Sequence, residues 1–167
     1  MTRRDTIIKW TAYGVILAVI TVLDYYVLGR LAAVTPMLLP AAAVAAGTLE
    51  NPKFGAGFGL ACGLIMASLG HRSLLCIPVL AAAGWVAALV AQYLLRKDLV
   101  GCLICIAILL AAWECATLLW MGRRLDAPLG LLLRVVLPEL LWSLVFAFPV
   151  YWAIRFGCVH YGRIYHE

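Results

Sequence analysis

Residues 99–121 read LVGCLICIAILLAAWECATLLWM, and Glu114 is the only charge in that run. A helix needs about 20 mainly apolar residues to cross a hydrocarbon core. Every backbone amide must be satisfied inside lipid, so such a run is a helix rather than an open strand. Five more apolar runs share the chain. They are Trp10–Leu28, Leu31–Leu49, Phe54–Leu69, Leu74–Leu95 and a last one within Leu129–Ile154, its helix taken over about 131–154. No ten-residue alternation of a membrane barrel occurs. The expected fold is an all-α integral membrane protein. It is a compact bundle of six transmembrane helices forming a single polytopic domain over residues 1–167.

Composition points the same way. Of 167 residues, 66 % are hydrophobic and 13 % charged, where soluble domains are roughly half apolar and about a quarter charged. Mean hydropathy is +1.03. A soluble core of this length could not hide so much apolar surface, so the lipid bilayer is the expected solvent. This excludes a secreted disulfide scaffold, a disordered regulator and a nucleic-acid-binding domain. The net charge of +5 matches the Lys/Arg excess of cytoplasmic loops. Arg3, Arg4 and Lys9 could open a signal peptide. The apolar run after them is too long for one and lacks a small-residue cleavage site, so it reads as a retained helix.

Short connectors make neighbouring helices antiparallel: Gly29-Arg30, Glu50-Asn51-Pro52-Lys53, Gly70-His71-Arg72, Arg96-Lys97-Asp98 and the longest, residues 122–128. Six crossings place both termini on one side. That side carries Arg3, Arg4, Lys9, Lys53, Arg96, Lys97, Arg155 and Arg163, against Arg30, Arg72, Arg123, Arg124 and Arg134 on the other. The bias predicts both termini in the cytoplasm. Trp10, Trp120, Tyr151 and Trp152 fall near run ends, as interfacial anchors do. The tail from Phe156 to Glu167, basic and aromatic, is expected at the membrane surface.

Asp24, Glu114 and Glu139 are acids inside apolar runs. Each costs roughly 2.5–3.5 kcal/mol near a helix centre and needs a partner or a wet setting. In this topology all three sit toward the outer face, with Arg30, Arg72 and Arg134 in the same zone. They fit an interhelical polar cluster with Arg134, a contact with a partner protein, or a substrate or ion pocket. Pro138 precedes Glu139 and can aim its carboxylate.

Gly55, Gly59, Gly63 and Ala67 recur every four residues and lay a narrow groove along the third helix. Apolar tails give helices no hydrophobic reason to associate, so close backbone approach must supply it. The stripe is read as a helix-packing or partner-binding face. Ala83, Ala87 and Ala91 form a similar stripe, and Ala42 and Ala46 a shorter one. Cys102 and Cys105 form a CxxC without a second ligand pair, so the six cysteines read as small hydrophobes. No P-loop or dinucleotide fingerprint occurs. Ser68 and His71 lack a third member, and His160 and His166 lack a ligand set. No metal, cofactor or catalytic residue is assigned.

Two stretches carry a family resemblance. Residues 50–64, ENPKFGAGFGLACGL, resemble the Gly-Leu-rich helix of MreD, the rod shape-determining membrane protein family of bacteria. Residues 137–155, LPELLWSLVFAFPVYWAIR, are similar to that family's closing helix. Members often carry an acid soon after the Gly-Leu step; residues 65–70 here hold none. The resemblance implies a non-enzymatic scaffold of the cell-elongation complex in the bacterial inner membrane. It would bind MreC through transmembrane helices, and through it the MreB filament and the peptidoglycan synthases. MreD proteins are also distantly similar to the S components of energy-coupling-factor transporters. That similarity implies the alternative, a micronutrient-binding S component.

Overall fold

Six helices fill most of residues 3–29, 36–69, 73–93, 99–122 and 136–161, the parts of the chain that the computed structural model describes. They are α1 (Arg3–Val22, prolonged by a π-helical turn Leu23–Leu28), α2 (Leu38–Leu49), α3 (Pro52–Leu69), α4 (Cys76–Tyr93), α5 (Leu99–Gly122) and α6 (Leu137–Tyr161). No strand occurs among the described residues. Among the described residues, five segments are long and apolar enough to span a membrane: Ile7–Leu28, Pro52–Leu69, Cys76–Tyr93, Leu99–Ala116 and Leu137–Val159. The chain is a multi-pass membrane protein. Large side chains such as Val15, Val100, Ile108 and Val145 point outward, where lipid would solvate them.

The second helix departs from expectation. It was expected over Leu31–Leu49, but Pro36 and Met37 are not helical and α2 starts at Leu38. Pro36 disfavours helical geometry in the residue before it. Pro40 is tolerated in the first turn, where its missing N–H would be unpaired anyway. At about 1.5 Å per residue, α2 covers about 18 Å, short of the roughly 30 Å hydrocarbon core. It is also buried on every face from Leu38 to Thr48. A helix apolar all round belongs inside a bundle or a bilayer; this one lies inside the protein, packed by α3, α4, α5 and α6.

An enclosed helix must have its ends satisfied. At the start of α2, the Met37 N–H donates to Ser143 Oγ of α6 at 2.9 Å, and that hydroxyl donates onward to the Glu139 carbonyl at 2.6 Å. At its end, the Glu50 N–H donates to the Ala46 carbonyl, and the Cys158 thiol of α6 reaches the Leu49 carbonyl at 3.8 Å. Thus α6 closes both ends of α2.

The glycines explain how α3 and α4 meet. A Cβ on Gly55 would stand 2.7 Å from the Gly84 carbonyl oxygen and 2.8 Å from the Gly47 Cα; one on Gly63 would stand 2.7 Å from the Ile77 Cα. A Cβ on Gly59 would strike the Leu80 carbonyl, and one on Gly84 the Gly55 carbonyl. The backbones of α2, α3 and α4 therefore touch with no side chain between them.

The last helix also differs from expectation. It was expected to end near residue 154, but α6 continues to Tyr161; the tail beyond it, expected at the membrane surface, lies outside the described residues. Gly157 is buried, with Ile16 and Tyr13 of α1 beside it. Contact with α1 extends the helix beyond its apolar run. Tyr151, expected as an interfacial anchor, is 1 % exposed and belongs to the core.

Candidate functional site

Lys9 and Tyr13 are one helical turn apart and so share a face of α1. Both face Glu50, the residue that ends α2. Lys9 Nζ lies 2.7 Å from Glu50 Oε2, and Tyr13 OH donates to Glu50 Oε1 at 2.9 Å. Lys9 is 5 % exposed and Glu50 6 %. The Phe54 ring of α3 stands 4.9 Å from the ammonium, with Trp10 and Tyr13 packed on it at 4.6 and 4.7 Å between centroids. Cys158 of α6 borders Glu50 and Tyr13. Four helix ends, from α1, α2, α3 and α6, thus converge on one buried carboxylate.

The chemistry of this cluster is attachment. Both carboxylate oxygens are engaged, and the ammonium is held by an oxygen on one side and a ring face on the other. Two charges removed from water are stable only with such complete pairing. The cluster corrects two expectations. Glu50 was read as part of a polar turn and Lys9 as a loop charge, yet both are interior. The signal available in the sequence was an acid directly after an apolar run, with a lysine and a tyrosine four residues apart on another helix.

The three acids expected to gather in the membrane stand on three helices. Asp24 is half-buried in the π-helical turn of α1, Glu114 is 8 % exposed on α5, and Glu139 is half-buried in the first turn of α6. Cys102, near the start of α5, borders Thr48 at the end of α2, so α5 begins at the Glu50 end. By axial rise, Asp24 lies about 22 Å along α1 from Lys9. Glu114 lies about 18 Å beyond Cys102, and Glu139 about 28 Å before Cys158. All three therefore occupy the end of the bundle away from Glu50. Arg134 lies outside the described residues.

Of the small-residue stripe, Gly55, Gly59 and Gly63 face α4, while Ala67 is half-buried one turn further. The line of α4 that meets them is Ile77, Leu80 and Gly84. The alanine stripe expected on this helix, Ala83, Ala87 and Ala91, does not include Gly84, whose carbonyl meets Gly55. Cys102 is buried and Cys105 half-buried. No group of three metal-ligating side chains occurs among the described residues. Ser68 Oγ donates to the Ile65 carbonyl at 3.1 Å, and His71 and His166 lie outside the described residues.

A groove of about 350 Å³ runs along the outside between α1 and α6. Its walls are entirely apolar, and Val15, Val19, Leu23 and Val27 form one edge at four-residue spacing. Phe146 and Pro149 stand opposite. The π-helical turn of α1 and the proline inside α6 both border it. No family model, curated protein or solved structure matches the chain.

Proposed function

We propose that the chain is a non-enzymatic scaffold of the bacterial cell-elongation complex. It sits in the inner membrane with both termini cytoplasmic and binds an MreC-like protein through transmembrane helices. The observation that carries this reading is the apolar α1–α6 groove. A four-residue ridge beside a trough is the surface on which a single-span helix packs, and it carries no polar group to orient a small polar substrate. The glycine stripe of α3 is occupied by α4, so a partner helix must use another face. Through the bound partner the chain would connect to the MreB filament and the peptidoglycan synthases.

A second reading, an S component of an energy-coupling-factor micronutrient transporter, draws support from Asp24, Glu114 and Glu139. Carboxylates from three helices at one end could line a polar substrate site. Affinity capture of the tagged chain from its native membranes, read by mass spectrometry, separates the two. Recovery of an MreC-like protein, lost on Val19→Trp without loss of the folded chain, is the expected result. Recovery of ATPase subunits with a T component would replace the scaffold reading with the transporter one.

A further inference from the structure

We infer that the Lys9–Glu50–Tyr13 cluster is a latch that holds α1 on the bundle as a strap, with the π-helical turn Leu23–Leu28 as its hinge. The inference goes beyond the proposed function and is independent of what occupies the groove.

The two halves of α1 are held differently. Around Lys9 and Tyr13 the helix is tied to α2 by two hydrogen bonds to one buried carboxylate, to α3 by stacked rings, and to α6 at Gly157 and Cys158. From Val15 onward one edge borders the open groove along Val15 and Val19, and the side chains that pack inward, Leu17 and Ile20, are aliphatic. Lipid competes on nearly equal terms for an aliphatic face. It cannot compete for an ammonium that already holds a carboxylate, because separating the two charges in a dry setting leaves both unsolvated.

Lys9 and Tyr13 therefore hold α1 by contacts that lipid cannot replace, and Leu17 and Ile20 hold it by aliphatic contacts that lipid can. The regular hydrogen-bond ladder changes register at the other end, where the Gly29 N–H donates to the Asp24 carbonyl five residues back. Such π-helical turns are local departures from the α ladder and recur at functional positions. A helix latched near one end, irregular at the other and held between them by aliphatic contacts such as Leu17 and Ile20 opens by swinging at the irregular turn once the latch is broken.

The native cysteines report this opening. Cys158 is half-buried against the Leu49 carbonyl beside Tyr13 and Glu50, so undocking α1 removes the cover it has on that side. Cys62 and Cys102, 0 % and 2 % exposed on α3 and α5, stay covered unless the whole bundle opens. The test is N-ethylmaleimide labelling of the full chain in lipid nanodiscs, quantified at each cysteine by mass spectrometry. Glu50→Gln keeps the shape and removes the charge. It is expected to raise the Cys158 rate about two- to threefold, the gain open to a thiol already half-exposed when the opening is local, with Cys62 and Cys102 unchanged.

The triple variant Lys9→Met, Tyr13→Phe, Glu50→Met removes all three polar members of the cluster together and is expected to return Cys158 to its native rate. Three results would overturn the latch. One is an unchanged Cys158 rate in Glu50→Gln. Another is parallel exposure of Cys62 and Cys102, since the pair would then hold the whole bundle rather than α1. The third is a triple variant as open as the single one.

Discussion

The α3–α4 interface and the α1–α6 interface are both helix pairs in an apolar setting, and they are built in opposite ways. In the first, Gly55, Gly59, Gly63 and Gly84 bring backbone against backbone, and nothing polar is needed. In the second, a groove of about 350 Å³ separates much of the two helices, and α1 is fastened near one end by a buried ion pair to Glu50 at the end of α2 rather than to α6. Where lipid cancels the hydrophobic drive, a helix is held either by contact too close for a lipid chain to replace or by charges that lipid cannot solvate. The first device gives a rigid pair. The second fixes the peripheral helix at a point and leaves one edge of it, along Val15 and Val19, facing the groove.

The largest effect is expected where the backbones touch. Gly59→Leu puts a side chain where even a Cβ would strike the Leu80 carbonyl. The obstacle is backbone rather than a movable rotamer, so the cost should exceed the usual overpacking range of about 1–3 kcal/mol. Size-exclusion profiles of the detergent-extracted chain should show loss of the monodisperse peak. A normal peak at normal yield would mean that α3 and α4 do not approach this closely.

Next comes the ion pair. Lys9→Met leaves the Glu50 carboxylate buried with Tyr13 and Cys158 but no cation beside it and should cost about 3–5 kcal/mol, as breaking one side of a buried pair does. Replacing Lys9, Tyr13 and Glu50 together by Met, Phe and Met should recover most of that. Reversible unfolding in mixed micelles would measure both. If the triple replacement is as damaging as the single one, the site depends on shape rather than on charge pairing, and the contrast between the two interfaces fails.

What the sequence disclosed follows the same contrast. Apolar runs are visible because hydropathy needs no partner, and the four-residue glycine spacing announces a close approach before its target is known. Hydropathy cannot tell an enclosed helix from one facing lipid, so α2 read as an ordinary span although Pro36 and Pro40 limited its length. The Lys9–Glu50 contact joins residues 41 positions apart. Only the packing of α1 across the end of α2 reveals it, and without that packing both charges look like loop residues. Gly84 was passed over because the alanines around it form a more regular pattern, although its carbonyl is the one that Gly55 approaches.

The smallest effect isolates the role of glycine itself. Gly14 lies on α1 one residue past Tyr13, and a Cβ there would meet nothing within 4 Å. In a helix interior, glycine is less favourable than alanine by roughly 0.5–1 kcal/mol, because the unfolded chain has more freedom to lose. Gly14→Ala should therefore leave packing unchanged and stabilise the chain by up to about that amount, whereas the same replacement at Gly59 meets backbone and destabilises. The pair of measurements, made under one unfolding protocol, separates intrinsic helix propensity from interface geometry. Equal responses at the two sites would show that the glycines of α3 act through chain entropy alone, and the backbone contact with α4 would lose its energetic meaning.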